Sequence, residues 1–277
     1  MDNRCLVSVI TVCFNSERYL ERSINSVLCQ VYPDIEYIII DGGSTDNTLN
    51  IIKKYENRVT YWITEKDNGI FDAMNKGINI AKGDIVLFLN SDDYIADKYV
   101  VEKAINLFKK IKKADFIYGN TKVYDPISDK IWLKKYPSFI TKSYLVTNSI
   151  GHQATFFKAN CFKIAGGYDL SFKIASDREW FLRALYKYKL KPCRVNLAIS
   201  VFQLGGISND LAYRKQQIAE VNRINKMYFS YFNILIATFL DLLCSGSMFR
   251  KIAAFLLGSK GYDLLKRTKN RFFKCIC

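Results

Sequence analysis

A chain of 277 residues, 49% hydrophobic and 24% charged, is long enough for one large α/β domain or for one domain plus an appendage and can bury a sizeable core, which excludes a disordered polypeptide and a minimal stapled domain. The formal charge of +15 and the pI near 9.3 call for an anionic partner, with nucleic acid, acidic lipid and phosphorylated substrate as the classes to separate. Eight cysteines are scattered without metal-like pairing apart from the terminal Cys275 and Cys277, so they read as reduced thiols, and the short lead Met1 to Cys5 enters a strand without the long apolar core of a secretory signal, which predicts that the folded part stays in the cytosol.

Val7 to Phe14 is rich in β-branched residues and ends at Asn15-Ser16, so it reads as a strand closing on a turn. From Glu17 to Cys29 the apolar residues Leu20, Ile24, Val27 and Leu28 recur at three and four positions, the spacing of an amphipathic helix. Ile35 to Ile40 is a second strand, ending on Asp41-Gly42-Gly43-Ser44-Thr45-Asp46, and a helix to about Tyr55 follows. A third strand is expected over Val59 to Ile63, then the polar loop Glu65 to Gly69, a helix to Ala81, and the strand Ile85 to Leu89. Alternation at this spacing implies right-handed βαβ units and a largely parallel sheet, so the first ~90 residues look like a nucleotide-binding half.

The strand Ile85 to Leu89 stops abruptly on Asn90-Ser91-Asp92-Asp93. In an open α/β sheet ligands bind at the carboxyl ends of the strands, where Asp41 and Asp92 both emerge, with Thr11 and Phe14 on the same edge. A hard cation such as Mg²⁺ or Mn²⁺ is commonly held there by one or two carboxylates, and Asp92 is the first choice of ligand. The competing reading makes Asn90, Ser91 and Asp93 a turn that caps the next helix.

Beyond Asp93 the spacing predicts a helix from Lys98 to Lys112, a strand over Phe116 to Val123, and a partner strand over Lys130 to Leu133; Tyr136 to Asn148 is unassigned. A short strand at Ala154 to Phe157, a short helix at Cys161 to Ala165 and a turn at Gly166 to Asp169 follow. Ser176-Asp177-Arg178-Glu179 opens a helix through Tyr188, with Ser176 or Asp177 suited to cap it. A last strand at Leu197 to Phe202 leads to Gly205-Gly206-Ile207-Ser208 and a polar helix from Leu211 to about Tyr228. The chain changes character there. Phe232 to Leu243 is almost wholly apolar, broken by Asn233 and Asp241, and short of the ~20 residues that span a bilayer, so it reads as an interfacial helix. Residues 249–277 carry eight basic residues against one acid, a net +7, interleaved with phenylalanine and leucine. That pattern suits a helix lying on an anionic membrane surface, where each Lys or Arg contributes about 1 kcal/mol; the alternative is a helical hairpin with a solvated basic face.

Four segments taken together, Ser8 to Asn15, Ile39 to Asp46, Asp67 to Gly77 and Phe88 to Asp93, resemble glycosyltransferase family 2 over about residues 6–210. The resemblance implies an α/β, GT-A fold: a Rossmann-like nucleotide-binding half over about 1–95 and an acceptor half over about 96–227, around a mixed central sheet; residues 228–277 follow as the amphipathic helical tail read from the apolar and basic pattern above. It implies an inverting transferase that uses a nucleotide-diphosphate sugar, UDP-sugar favoured, with Mg²⁺ or Mn²⁺. By resemblance Thr11 and Phe14 frame the base, Asp41 accepts from its imino N–H, Asp67 and Gly69 lie near the nucleotide or sugar, and Lys76 serves the loop or the phosphates. Ser91 and Asp92 face the donor, Asp92 carries the metal with Asp93 in support, and Asn90 departs from the acid usual at that position. Asp177 matches the family's general base, with Ser176 where another acid often stands. His152, the only histidine, is left open between acceptor, diphosphate and metal, and Ser208 lies in a segment that resembles the mobile loop over the diphosphate.

Bacterial surface-polysaccharide or lipopolysaccharide assembly, on a saccharide or lipid-linked acceptor at the cytoplasmic face of the inner membrane, is the setting the resemblance implies. One rival is a nucleotidyltransferase that makes the sugar nucleotide, for which a Gly-rich, Arg/Lys-bearing phosphate loop after the first strand is missing. A second is a nucleic-acid binder, which the concentration of basic charge in an apolar tail argues against.

Overall fold

In the computed structural model, residues 5–206 and 211–244 are described. They contain nine strands in one mixed sheet: β1 (Val7–Cys13), β2 (Ile35–Asp41), β3 (Tyr61–Thr64), β4 (Ile85–Asn90), β5 (Tyr94–Ile95), β6 (Phe116–Asp125), β7 (Lys130–Lys134), β8 (Thr155–Lys158) and β9 (Pro192–Gln203). The order is β3-β2-β1-β4-β8-β6-β9-β5, with β7 paired to β6. The first four strands are parallel and β8 runs antiparallel to both β4 and β6, so the expected parallel half is joined to a mixed half at β4.

The two faces of the sheet are covered differently. Val7, Val9 and Cys13 of β1, Ile85, Leu87 and Leu89 of β4, and Tyr37 and Ile39 of β2 pack with the apolar stripes of α1 (Leu20–Leu28) and α4 (Val100–Lys110). The alternate residues turn to the other face, where Ile10 lies so close to α3 (Ile70–Ile80) that a methyl at Gly77 would collide with it. Because a pleated strand presents successive residues to opposite sides, a strand buried on both must be apolar almost throughout, and β1 and β4 are. On this second face Phe88, Phe116, Phe157, Phe162, Tyr168, Trp180 and Phe181 form one aromatic cluster with centroids 4.9–6.4 Å apart. It buries α6 (Asn160–Ala165) and α7 (Ser176–Leu182) against the sheet.

Four details differ from the sequence expectations. The last strand begins at Pro192 rather than Leu197, because β6 and β9 pair in parallel through a register shift near Tyr118 and Asn120 that hides the alternation. Two residues after Asp92 the chain makes a short strand, β5, antiparallel to β9. The helix at Ser176 stops at Leu182 and widens into a π turn over Arg183–Lys187, where Arg183 is drawn to Glu179 and to the carbonyls of Ala165 and Gly167. Neither Ser176 nor Asp177 caps that helix: the cap position is Ala175, and the Ser176 hydroxyl donates to the Asp169 carbonyl at 2.8 Å.

By its contacts the chain divides into two compact units. One joins the described residues up to Tyr136 with those of Ile150–Val221 and contains the whole sheet; the other joins Pro137–Ser149 with the described residues from Asn222 on. In the second, α5 (Lys142–Thr147), capped by Thr141, packs against α9 (Tyr231–Cys244), and the Asn225 amide donates to the Val146 carbonyl at 3.0 Å. Asn225 belongs to α8 (Arg214–Tyr228), so the helices expected after Leu211 and over the apolar stretch are both present. No described helix is long and apolar enough to cross a membrane. The basic stretch 249–277 lies outside the described residues.

Candidate active site

The carboxyl ends of β1, β2 and β4 form the edge at which the motifs meet. Asp41 closes β2 in register with Cys13 and is fully buried. Its Oδ2 accepts from the Gly43 and Ser44 amides at 3.1 and 3.0 Å and from the Thr64 hydroxyl at 2.6 Å, while Oδ1 accepts from the Ser44 hydroxyl and the Cys13 thiol. A buried charge is tolerable when it is this fully hydrogen-bonded. Burial, followed by the Asp41 charge, holds the Cys13 thiol well above its ordinary pKa. The turn after β1 is tied to the same knot: the Asn15 amide donates to Ser44 Oγ at 2.8 Å, and Asn15 Oδ1 accepts from the Thr45 amide at 2.9 Å. Phe14 stands out from it, 59% exposed. Thr11 does not reach the edge. It is fully buried within β1, its hydroxyl 3.1 Å from that of Tyr37.

The loop before α3 folds back over this edge. Asp67 Oδ1 accepts from the Gly69 amide at 2.8 Å, and its other oxygen lies so near Gly42 that any side chain there would collide with it. Gly69 has φ +112°, a conformation that favours glycine. Lys76 pairs with Glu65 at 2.8 Å and donates to the Lys66 carbonyl at 3.3 Å, so its contacts serve the loop. Lys173 Nζ reaches across to the Asn68 carbonyl at 2.9 Å, joining this loop to the segment that leads into α7.

At the end of β4 the carboxylates are treated differently from Asp41. Asp93 is fully buried; Oδ1 accepts from the Gln203 amide at 3.1 Å, while Oδ2 is buried without a hydrogen-bond partner. Burial, then the neighbouring Asp92 charge, pushes its pKa well above the usual carboxylate range. Burial also raises Asp92, opposed by its own backbone amide and by His152 and Arg22. A Cβ at Gly206 would stand 2.7 Å from Asp92 Oδ2, so the chain after β9 passes close against this carboxylate. Arg22 of α1 donates from Nη2 to the Asp92 carbonyl at 2.9 Å and to Gln203 Oε1 at 2.6 Å, and its guanidinium lies 4.4 Å from the Tyr94 ring centroid. Ser91 Oγ is 2.8 Å from Ser16 Oγ, which binds the β4 turn to the β1 turn. No group of three or more His, Cys, Asp or Glu among the described residues forms a cage. A buried, unpartnered carboxylate oxygen beside a second carboxylate instead fits a hard cation that takes its remaining ligands from a bound molecule.

Asp177 is the second residue of α7. Its Oδ1 accepts from the Arg178 amide at 2.7 Å, and its Oδ2 is 3.2 Å from His152 Nδ1, whose Nε2 is 3.3 Å from Asn90 Oδ1. Asp177, His152 and the end of β4 are therefore one connected group. Trp180 donates to the Gly166 carbonyl at 2.8 Å and fixes α7 from below. Glu220 of α8 fixes it from its start, accepting from the backbone amides of Lys173, Ile174 and Ala175 at 2.9–3.0 Å.

The family model described as glycosyl transferase family 2 matches residues 8–166, more than half of the chain. The chain belongs to glycosyltransferase family 2. It is 34% identical over 212 residues to an uncharacterized glycosyltransferase of Mycobacterium tuberculosis, an alignment covering 73% of this chain and 77% of that one. Among solved structures it is similar to S. aureus TarS residues 1–349 in complex with UDP-GlcNAc, with TM-score 0.59 and 22% identity over 73% of this chain and 59% of that one, just under three fifths of its length. It is also similar to the mannosyltransferase PcManGT from Pyrobaculum calidifontis in complex with GDP-Man and Mn²⁺, with TM-score 0.60 and 14% identity over 99% of this chain and 87% of that one. Both likenesses bear on the fold, which is GT-A.

In this glycosyltransferase the sequence reading found the edge residues and missed those that brace them. Arg22 reads from the sequence as one more charge between the apolar positions of an amphipathic helix, and Glu220 as a polar residue on a polar helix; no local signal marks either. Asn75 did carry a signal, since it stands inside Asp67 to Gly77. Its amide pairs with the Tyr168 backbone, accepting at 2.7 Å and donating at 2.9 Å, and so holds the turn before α7 to α3. Ser208 lies outside the described residues.

Proposed function

We propose that this enzyme transfers a glycosyl unit from a nucleotide-diphosphate sugar, a UDP-sugar in the first instance, to an acceptor hydroxyl with inversion at the anomeric carbon. The observation that carries the reading is the connected group Asn90, His152 and Asp177, which brings an acid at the start of a later helix to the strand end that bears Asp92. The acceptor oxygen attacks the anomeric carbon as the bond from that carbon to the diphosphate oxygen breaks. Asp177 takes the acceptor's proton, a contribution of about 10²- to 10⁴-fold. Phe14 offers an exposed ring beside the Asp41 knot for a nucleobase, and Asp67 and Gly69 border the space where nucleotide and sugar would lie. Asp92, with Asp93 beside it, would hold Mg²⁺ or Mn²⁺, which when bound supplies positive charge to the departing diphosphate; the Mn²⁺ in the PcManGT complex supports this.

We assign the transferase domain to residues 1–227 and a membrane-associating tail to 228–277. Tyr231, Phe232, Leu235 and Ile236 on α9 are exposed, an apolar face that agrees with contact at an anionic membrane surface by the basic stretch that follows. That supports a peripheral position on the cytoplasmic face and a lipid-linked saccharide as acceptor, in surface-polysaccharide or lipopolysaccharide assembly. A panel of nucleotide sugars with Mg²⁺ or Mn²⁺ tests the reading by release of nucleoside diphosphate and by the anomeric configuration of the product. Release of pyrophosphate from a nucleoside triphosphate and a sugar phosphate would instead identify a nucleotidyltransferase. Deleting the chain from Phe249 should abolish sedimentation with phosphatidylserine vesicles while UDP binding persists; unchanged sedimentation would remove the tail from the proposal.

A further inference from the structure

The single histidine of the chain is built into the fold more firmly than a chance neighbour of Asp177 would be. It opens a 3₁₀ turn, His152–Ala154, whose three residues are all buried. The turn is stapled at its start: the Gly151 amide donates to the Tyr136 hydroxyl at 3.2 Å, and the Gly151 carbonyl accepts from the Thr155 hydroxyl at 2.9 Å and the Ala154 amide at 3.1 Å. Both ring nitrogens have partners, Asp177 Oδ2 at 3.2 Å and Asn90 Oδ1 at 3.3 Å. Of the two partners in this contact, the Asp177 side chain is 21% exposed and the imidazole 10%. The carboxylate is therefore the group presented outward, with the ring behind it.

We propose that His152 is a positioning residue, which holds Asp177 through a hydrogen bond from Nδ1–H and is itself held through Nε2 by Asn90. The inference rests on the reading of Asp177 as the base. An ionised carboxylate has only lone pairs to offer, so Nδ1 must carry the hydrogen that joins them. In a neutral ring Nε2 is then an acceptor, and a half-turn of the Asn90 amide presents an N–H to it. An amide at position 90 can complete the chain of hydrogen bonds without charging the ring, whereas a carboxylate there would require a hydrogen on both nitrogens. With Oδ1 fixed by the Arg178 amide and Oδ2 by His152, the Asp177 carboxyl has one orientation. This matters because a small misplacement of a reacting group can cost roughly 10²-fold in rate.

The chain's one histidine makes the test direct, since ring ¹⁵N signals of a tag-free, full-length protein report only His152. The spectrum should show Nδ1 protonated and Nε2 bare, the less common tautomer, and Asp177→Ala should move the hydrogen to Nε2. An Nε2–H tautomer in the parent protein, or no response to Asp177→Ala, would overturn the proposal. Asparagine carries an N–H where Nδ1 stands and glutamine one where Nε2 stands, so His152→Asn keeps the donor to Asp177 and His152→Gln keeps only the link to Asn90. His152→Asn should therefore retain transfer within about tenfold, while His152→Gln loses roughly 10²-fold. Both should bind UDP with Mn²⁺ as the parent does and melt within a few degrees of it. If glutamine rescues better than asparagine, His152 acts through Asn90; if both variants are as inactive as Asp177→Asn, His152 itself takes the proton. Either result rejects the positioning role. Full activity in Asp177→Asn would instead remove the base assignment, an outcome that the tautomer measurement does not share.

Discussion

Two carboxylate groups at the same sheet edge have opposite characters. Asp41, at the end of β2, is buried and surrounded by donors from its own chain, two amides, two hydroxyls and a thiol. At the end of β4, Asp93 is fully buried and Asp92 half-buried, both with few donors, and one Asp93 oxygen has no partner at all. The difference teaches how to tell an acid that builds a site from one that serves it. A saturated carboxylate lowers the energy of the fold and organises the turns around it. One that is buried and unsatisfied costs the fold free energy, and evolution tolerates that cost where binding a ligand offsets it.

The sharpest way to break this comparison is Asp92→Asn. Loss of the charge should lower turnover by about 10³-fold, in keeping with the several kcal/mol a bound cation supplies, and leave the melting temperature unchanged or higher. Wild-type activity that persists in chelator would remove the cation from the site.

Asp41→Asn should do the reverse. An amide accepts at one atom only and turns an N–H toward donors, so several charge-assisted bonds are lost and unfolding free energy should fall by about 2–4 kcal/mol in a denaturant titration. A variant of parental stability would mean that the turn is held by its other contacts.

Asp93 gives a smaller effect with a definite sign. Its folded pKa is raised above that of the unfolded chain, so the folded state binds a proton more tightly, and the stability this contributes is full below the unfolded pKa of ~3.9 and is lost as pH rises toward the folded value. Between those limits the slope is up to about 1.4 kcal/mol per pH unit. Melting followed in chelator should become flatter with pH in Asp93→Asn; the parental slope retained in the variant would place the effect elsewhere.

The smallest expected effect is on thiol chemistry. Burial pushes the Cys161 thiol up to about 12, with the Asp115 charge adding to it, and holds Cys13 well above its ordinary value, whereas Cys29 is exposed. Brief alkylation of the native enzyme near neutral pH should label Cys29 and spare Cys13 and Cys161. Labelling of Cys13 at a comparable rate would show that the Asp41 knot opens readily.

The βαβ alternation, the strand ends at Asp41 and Asn90, and the helices α1, α3 and α4 follow from local pattern, because a strand buried on two faces must be apolar along its length and a helix buried on one must repeat at three and four. The motifs that mark the family are local in the same sense, each a strand end with its turn. What the local pattern could not supply was which acids are satisfied. Asp41 and Asp93 look alike in the sequence, each an acid at a strand end, and they differ because Thr64 and Cys13 reach one from neighbouring strands while only the Gln203 amide, far along the chain, reaches the other. Thr11 shows the same limit: its place near a strand end is local, but the Tyr37 hydroxyl it meets comes from the next strand. The bridge from Asn90 through His152 to Asp177, and the hold of Glu220 on the entry to α7, join segments whose sequence separation carries no signal. Local pattern set the elements and their ends, and only packing between distant segments decided which side chain meets which.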